Sequence, residues 1–272
     1  MKPPGPDAAG AKRGRPESLR RGTQRSKSAA EVPGRGRDGP KHRAREGFRG
    51  ASSRIVGVVL AGGEGRRLGG NKAVLRLPRS RSGEPGPTLV DWAVTRLAAV
   101  AAVEEIVVAA GDFGAEVGSV DRGLGVSVAP DGPGSGPAAG VLGAARSRPE
   151  HRLLVLACDL PLVPVGLLSN LAASDAELAP AAEDPGNPRS MNPTCALWTP
   201  PALKRLAVRI EEGDNRLYPL TRCAALRVEP VDAGRFGDPE DVLLNVNTAA
   251  DWERARRLVE RESGRRSRCA GR

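Results

Sequence analysis

The sequence predicts an α/β protein, a doubly wound and mostly parallel sheet with helices on both faces, preceded by a basic tail that forms no core. Three observations predict it. Short continuous apolar runs recur at residues 55–61, 105–110 and 152–158, as expected of strands buried on both faces. Stretches of helical period lie between them, and strands alternating with such helices imply right-handed crossovers in one sheet. Gly-rich or Asp-containing turns follow the first and third runs, at the strand ends where open α/β sheets bind ligands.

Residues 1–54 hold 15 basic and 5 acidic side chains in a low-complexity mixture of Gly, Pro, Arg, Lys and Ser. Such a tract cannot bury enough apolar surface to offset its ordering entropy, so a disordered tail is expected. The first strand is Ile-Val-Gly-Val-Val-Leu-Ala at 55–61, and a Pro/Gly/Ser insertion at 78–87 reads as a loop. Leu89, Trp92, Ala93, Leu97 and Val100 stand near helical spacing ahead of the strand at 105–110. A weaker strand at 125–129, a helix at 138–146 and the strand at 152–158 continue the alternation. Further on, a strand at 194–199, a helix at 200–211 opened by prolines, a strand at 225–231 and a helix at 249–262 capped by Thr248 are expected. The chain thus divides into a basic tail (1–54), one domain (55–262) and a basic C-terminal tail (263–272).

The net charge of +10 belongs to the ends. Residues 1–54 carry +10 and residues 254–272 carry +6, which leaves 55–253 at −6. A mildly acidic body argues against a nucleic-acid surface there. A single Tyr and three Phe supply no stacking platform for bases. Only two His are present, one in the tail, so neither a His-based zinc site nor a Ser/His/Asp triad can be assembled. Cys158, Cys195, Cys223 and Cys269 form no CxxC pair, a reduced pattern that suggests a cytoplasmic protein. No run of about 18 apolar residues occurs, so no membrane helix is expected.

The segment LAGGEGRRLGGNK at 60–72 is the most informative. Glycines directly after a buried strand let backbone N–H groups approach a phosphate closely. Arg66, Arg67 and Lys72 supply positive charge within the following residues. The spacing is neither GxxxxGK followed by Ser or Thr nor GxGxxG. Two more loops follow strands. Asp131 sits in PDGPGSGPAAG at 130–140, either a turn residue beside Gly132 or part of a site. Asp159 sits in CDLPL at 158–162, either a helix N-cap or a ligand for Mg²⁺, which takes one or two carboxylates together with phosphate oxygens.

The ordered set LAGGEGRRLGGNK (60–72), GPAAG (136–140), LACDLPLVP (156–164), NPT (192–194) and NVNT (245–248) resembles the molybdenum cofactor guanylyltransferases of the nucleotidyltransferase superfamily, over roughly residues 55–260. The resemblance implies a Rossmann-like fold that transfers GMP from GTP to the terminal phosphate of molybdenum-bound molybdopterin, with release of pyrophosphate. By motif, Leu60, Ala61, Gly62, Gly63 and Asp131 would hold the nucleotide and Arg67 and Lys72 its phosphates, while Asp159 would bind Mg²⁺. Lys72, Asp159 and Arg67 would be the catalytic groups, with Asn192, Thr194, Asn245 and Asn247 on the pterin side. The implied partners are GTP, the pterin, a protein that delivers it and a recipient molybdoenzyme.

The chain departs from the family pattern at Asn71, where relatives often have Asp, and at Ala109-Ala110-Gly111, where an Asn is expected. Two other readings stay open: a cytidylyltransferase acting on the same pterin, whose relatives have LAAG where this chain has Leu60-Ala61-Gly62-Gly63, and a non-catalytic nucleotide-binding accessory protein.

Overall fold

The computed structural model describes residues 54–62, 71–78, 85–111 and 125–269; for Pro85 and residues 262–269 the backbone alone is described. The basic tail expected at 1–54 falls almost wholly outside this range, as do Gly63 and Arg67.

Among the described residues nine strands form a seven-stranded sheet and a separate hairpin. The strands are β1 (Ile55–Leu60), β2 (Arg76–Pro78), β3 (Pro85–Thr88), β4 (Val103–Ala109), β5 (Val126–Ala129), β6 (Arg152–Ala157), β7 (Leu178–Ala182), β8 (Met191–Trp198) and β9 (Val231–Asp232). In the large sheet the order is β5-β4-β1-β6-β8-β7-β9, and β2 pairs with β3. β5, β4, β1 and β6 are mutually parallel. β8 runs antiparallel to both β6 and β7, and β9 runs parallel to β7. Only β8 is therefore reversed.

All six residues of β1 are buried. That burial explains its continuous apolar run, since both faces of a central parallel strand are covered. The helices α1 (Leu89–Ala98), α2 (Gly136–Ser147), α3 (Val165–Ala173), α4 (Pro200–Glu211), α5 (Pro239–Val242) and α6 (Ala249–Cys269) follow in order. α1 links β1 to β4 while α2 links β5 to β6 in the opposite direction across the sheet, so right-handed crossovers place them on opposite faces. α1 packs with α3, and α2 packs with α4. α1 begins with a capping box in which Thr88 Oγ1 accepts from the Asp91 N–H at 3.1 Å and Asp91 accepts from the Thr88 N–H at 3.1 Å.

Several elements differ from the sequence expectation. The insertion at 78–87 is bracketed by paired strands, β2 and β3. The strand expected at 225–231 reduces to the two-residue β9 and an isolated bridge between Val228 and Leu178. α3 and β7 were not expected at all. α3 contains Gly166, Ser169 and Asn170, and β7 is Leu-Ala-Pro-Ala-Ala, so local propensity hides both. Burial decides instead: every residue of β7 is buried. α6 runs on to Cys269, past Glu262 where the pattern places its end.

Candidate active site

The carboxyl ends of β1, β4, β5 and β6 open onto a cavity of about 380 Å³, within the range of small-molecule sites. From the expected site residues it gathers Leu60, Ala61, Gly62, Lys72, Asp131, Asp159, Thr194 and Asn245. Ala109, Ala110, Gly111, Gly136, Pro137, Gly140, Ala157 and Cys158 line it as well.

Backbone bonds fix the rim. Ala61 N–H donates to Ala109 O at 2.9 Å and Cys158 N–H to Leu60 O at 3.0 Å, which extends the three-strand ladder into the loops. Gly111 has φ +53°, and a Cβ there would stand 3.0 Å from Asp131 Oδ2. The absence of the expected Asn near this position thus leaves room for Asp131 to approach the end of β4. The loop carrying Asp131 is pressed onto α2, where a Cβ on Gly143 would fall 2.1 Å from Pro130 O.

Lys72 opens a short 3₁₀ turn, Lys72–Val74, whose N-cap is Asn71: its Oδ1 accepts from Ala73 N–H at 3.0 Å. Asp at that position could cap in the same way, which accounts for the tolerance of Asn. Lys72 Nζ lies 3.6 Å from Asp159 Oδ2 and hydrogen-bonds Asn247 Oδ1. Asn247 Nδ2 in turn donates to Asn245 Oδ1 at 2.7 Å.

Asp159 is at the end of β6, and its carbonyl accepts from Val246 N–H at 2.8 Å, which ties the NVNT segment to the strand end. Its Oδ1 is buried without a hydrogen-bond partner among the described residues. Burial pushes this carboxyl above the usual carboxylate range, against the pull of the neighbouring Lys72. Cys158 beside it is pushed up to about 12 by burial, so it lines the cavity as a thiol and offers no nucleophile.

Two of the expected pterin-side residues are employed elsewhere. Asn192 is not on the cavity wall; its Oδ1 accepts from Thr194 N–H at 3.0 Å and Thr194 Oγ1 at 2.8 Å. This turn forms where β8 bulges from β7, since Pro180 pairs with Ala196 and Ala181 with Asn192. The buried Trp198 steadies the bulge by donating from Nε1 to Pro193 O at 3.0 Å. Asn247 also lies off the wall, engaged by Lys72 and Asn245. Its own N–H donates to Asp251 Oδ2 at 3.1 Å, in the capping box that opens α6 with Thr248. The bond from Thr248, chiefly, holds the Asp251 carboxyl below the usual range.

The orphaned Asp159 oxygen fits a divalent cation. Among the described residues no group of three or more His, Cys, Asp or Glu could hold one alone, so a cation here would need oxygens from a ligand as well. That sharing suits Mg²⁺ with phosphates.

A family model described as MobA-like NTP transferase domain matches residues 57–229. The molybdenum cofactor guanylyltransferase of Cereibacter sphaeroides is 33% identical over 214 residues, covering 77% of this chain and 100% of that protein. Among solved structures, the molybdopterin-guanine dinucleotide biosynthesis protein A of Archaeoglobus fulgidus has a TM-score of 0.59 at 21% identity, covering 76% of this chain and 99% of its own. A nucleotidyl transferase from Methanothermobacter thermautotroptrophicus has a TM-score of 0.62 at 24% identity, covering 78% and 100%. These two structures share the fold.

Proposed function

The chain belongs to the MobA-like NTP transferase domain family, and from that premise we propose that it transfers GMP from GTP to the terminal phosphate of molybdenum-bound molybdopterin, releasing pyrophosphate. The observation that carries this reading is the convergence of eight expected site residues, from segments far apart in sequence, on one cavity at the strand ends. The identity of 33% to a guanylyltransferase along its whole length selects the activity within the family.

An ionised oxygen of the pterin phosphate forms a bond to the α-phosphorus of GTP. The bond from that phosphorus to the bridging oxygen breaks, and pyrophosphate leaves with the electron pair. No base is needed, because the attacking oxygen carries no proton to remove. The obstacle is the approach of two polyanions, and positioning with electrostatic stabilisation meets it. Lys72 places its ammonium beside the phosphates. Leu60, Ala61, Gly62 and Asp131 hold the nucleoside end, and Thr194 and Asn245 face the pterin. Gly63 keeps the nucleotide-holding role and Arg67 the phosphate role given by their motif. Asp159 would hold Mg²⁺, which when bound neutralises phosphate charge. The reaction belongs in the cytoplasm, in keeping with the reduced cysteines.

Calorimetry with GTP, CTP and ATP in Mg²⁺ tests the nucleotide, and formation of the pterin guanine dinucleotide from labelled GTP tests the transfer. Preferential GTP binding and label in the dinucleotide are expected. Equal or better binding of CTP would overturn the guanylyl assignment.

A further inference from the structure

We propose that Asn215 is a positioning residue for the nucleotide: it pins the Gly-rich loop at 130–136 so that Asp131, Gly136 and Pro137 line the cavity. The inference rests on the nucleotide reading above and goes beyond it, because Asn215 lies in none of the motifs and off the cavity wall.

The loop Pro-Asp-Gly-Pro-Gly-Ser-Gly-Pro has three glycines in eight residues, and its tip at 133–137 is exposed throughout. Its base is fixed by packing: Gly132 N–H donates to Ala139 O at 2.8 Å, and Gly143 lies under Pro130. The tip is held from another element. Ser135 N–H donates to Asn215 Oδ1 at 3.1 Å, across 80 residues of sequence. Ser135 is the N-cap of α2, yet its side chain makes no capping bond, so this backbone contact is what orients the entry to the helix. Gly134 has φ +99°, and a Cβ there would stand 2.3 Å from Asn215 Oδ1 and 3.1 Å from Ile210. The tip is therefore pressed against Asn215 as closely as glycine allows.

Asn215 has a firm mount. Just past the end of α4 at Glu211, Gly213 N–H donates to Ile210 O at 2.9 Å, and Asp214 N–H donates to Arg209 O at 2.8 Å. The Asp214 carboxylate pairs with Arg209 on one side and takes two bonds from the Arg216 guanidinium on the other, both at 2.9 Å. Asn215 is thus clasped between two ion-paired neighbours and projects its amide onto the loop. Released from it, a tip with so many permissive backbone positions would spread over many conformations. Nucleotide would then have to collect the competent one, which lowers apparent affinity by the competent fraction.

The test compares wild type, Asn215→Ala and Asn215→Asp as full chains, by GTP calorimetry in Mg²⁺, steady-state transfer and thermal unfolding. Asn215→Ala is expected to weaken GTP about threefold to tenfold, the worth of one hydrogen bond. Its rate at saturating GTP, its KM for the pterin and its unfolding midpoint should stay at wild-type values, and Asn215→Asp, which keeps the acceptor, should restore affinity. Wild-type affinity in Asn215→Ala overturns the inference alone, as does equal loss in both variants or a loss that tracks the midpoint. Wild-type protein that binds no guanine nucleotide overturns the nucleotide reading and this inference with it.

Discussion

Asp159→Asn separates a functional carboxylate from a structural one, because the two roles predict opposite signs for stability. Among the described residues the carboxylate has one charged neighbour, Lys72, at 3.6 Å. At an effective dielectric constant of about 20 that attraction is about 4–5 kcal/mol. Against it stands the desolvation of a carboxylate whose Oδ1 is buried and unpartnered, a cost of several kcal/mol. The direction of the carboxyl's pKa decides which is larger: it is raised, so burial outweighs Lys72 and the charge is a net burden on the folded protein without ligand. Asparagine has nearly the same shape, and Lys72 keeps its bond to Asn247. Asp159→Asn should therefore unfold at the wild-type temperature or slightly above it in metal-free buffer, followed by circular dichroism. Transfer of labelled GMP should meanwhile fall about 100-fold or more, the usual scale for a lost electrostatic stabiliser. A midpoint several degrees lower would refute the reasoning from burial, and retained turnover would refute the role in catalysis.

Three further outcomes are expected. Lys72→Met should weaken GTP binding at least about tenfold and cost about 1–3 kcal/mol of stability, because it leaves Asp159 buried without compensation; adding Asp159→Asn should recover the stability and not the binding, as read by calorimetry and unfolding of both variants. Glu105 receives bonds of 2.5 and 2.8 Å from Arg148, whose hydrogen bond chiefly lowers its pKa, so its contribution is full above the ordinary value of 4.5 and vanishes as the pH falls through the lowered one. Glu105→Gln should cost about 1 kcal/mol at pH 7, with the gap to wild type closing in acid and with transfer unaffected, in a pH series of unfolding midpoints. Trp198→Phe should cost about 1–3 kcal/mol, since Pro193 O loses its buried partner, and should raise the KM for the pterin more than that for GTP by loosening the bulge that carries Thr194.

The strands that the sequence made legible are those whose burial is symmetric. β1 and β6 are covered on both faces and read as uninterrupted apolar runs. β7 is equally buried but, after Leu178, built of Ala and Pro, and α3 mixes Leu with Gly, Ser and Asn, so their contexts are visible only once neighbours are in place. The site divides in the same way. Residues that follow a strand directly, such as Gly62, Asp131 and Asp159, were placed by the rule that ligands sit at strand ends. Side chains whose partners are remote were not: the spacing of NVNT gives no sign that Asn247 faces Lys72, 175 residues away, or that Asn192 spends its oxygen on Thr194. Asn215 belongs with these, since a lone Asn after a helix looks like any other turn residue.

One reversed strand explains why the motifs fall where they do along the chain. β1, β4, β5 and β6 run the same way, so whatever borders the cavity must come after them: Ala61 and Gly62 after β1, Ala110 and Gly111 after β4, Asp131 after β5, Cys158 and Asp159 after β6. β8 lies beside β6 but antiparallel, pairing Leu156 with Cys195 and Leu153 with Trp198. Its beginning therefore meets the cavity edge, and the NPT motif has to open the strand. A parallel strand in that place would carry Met191–Thr194 to the far edge. The bulge then turns Thr194 inward, and Val246, bonded to Asp159 O, brings Asn245 up from the opposite side of the strand end. On the proposed reading the second substrate would enter between β8 and the NVNT turn, where Thr194 and Asn245 line the cavity with Lys72. Changes at Asn245 or Thr194 should thus leave GTP affinity within about twofold of wild type, well below the loss of one hydrogen bond's worth, while changes at Lys72 disturb both halves at once.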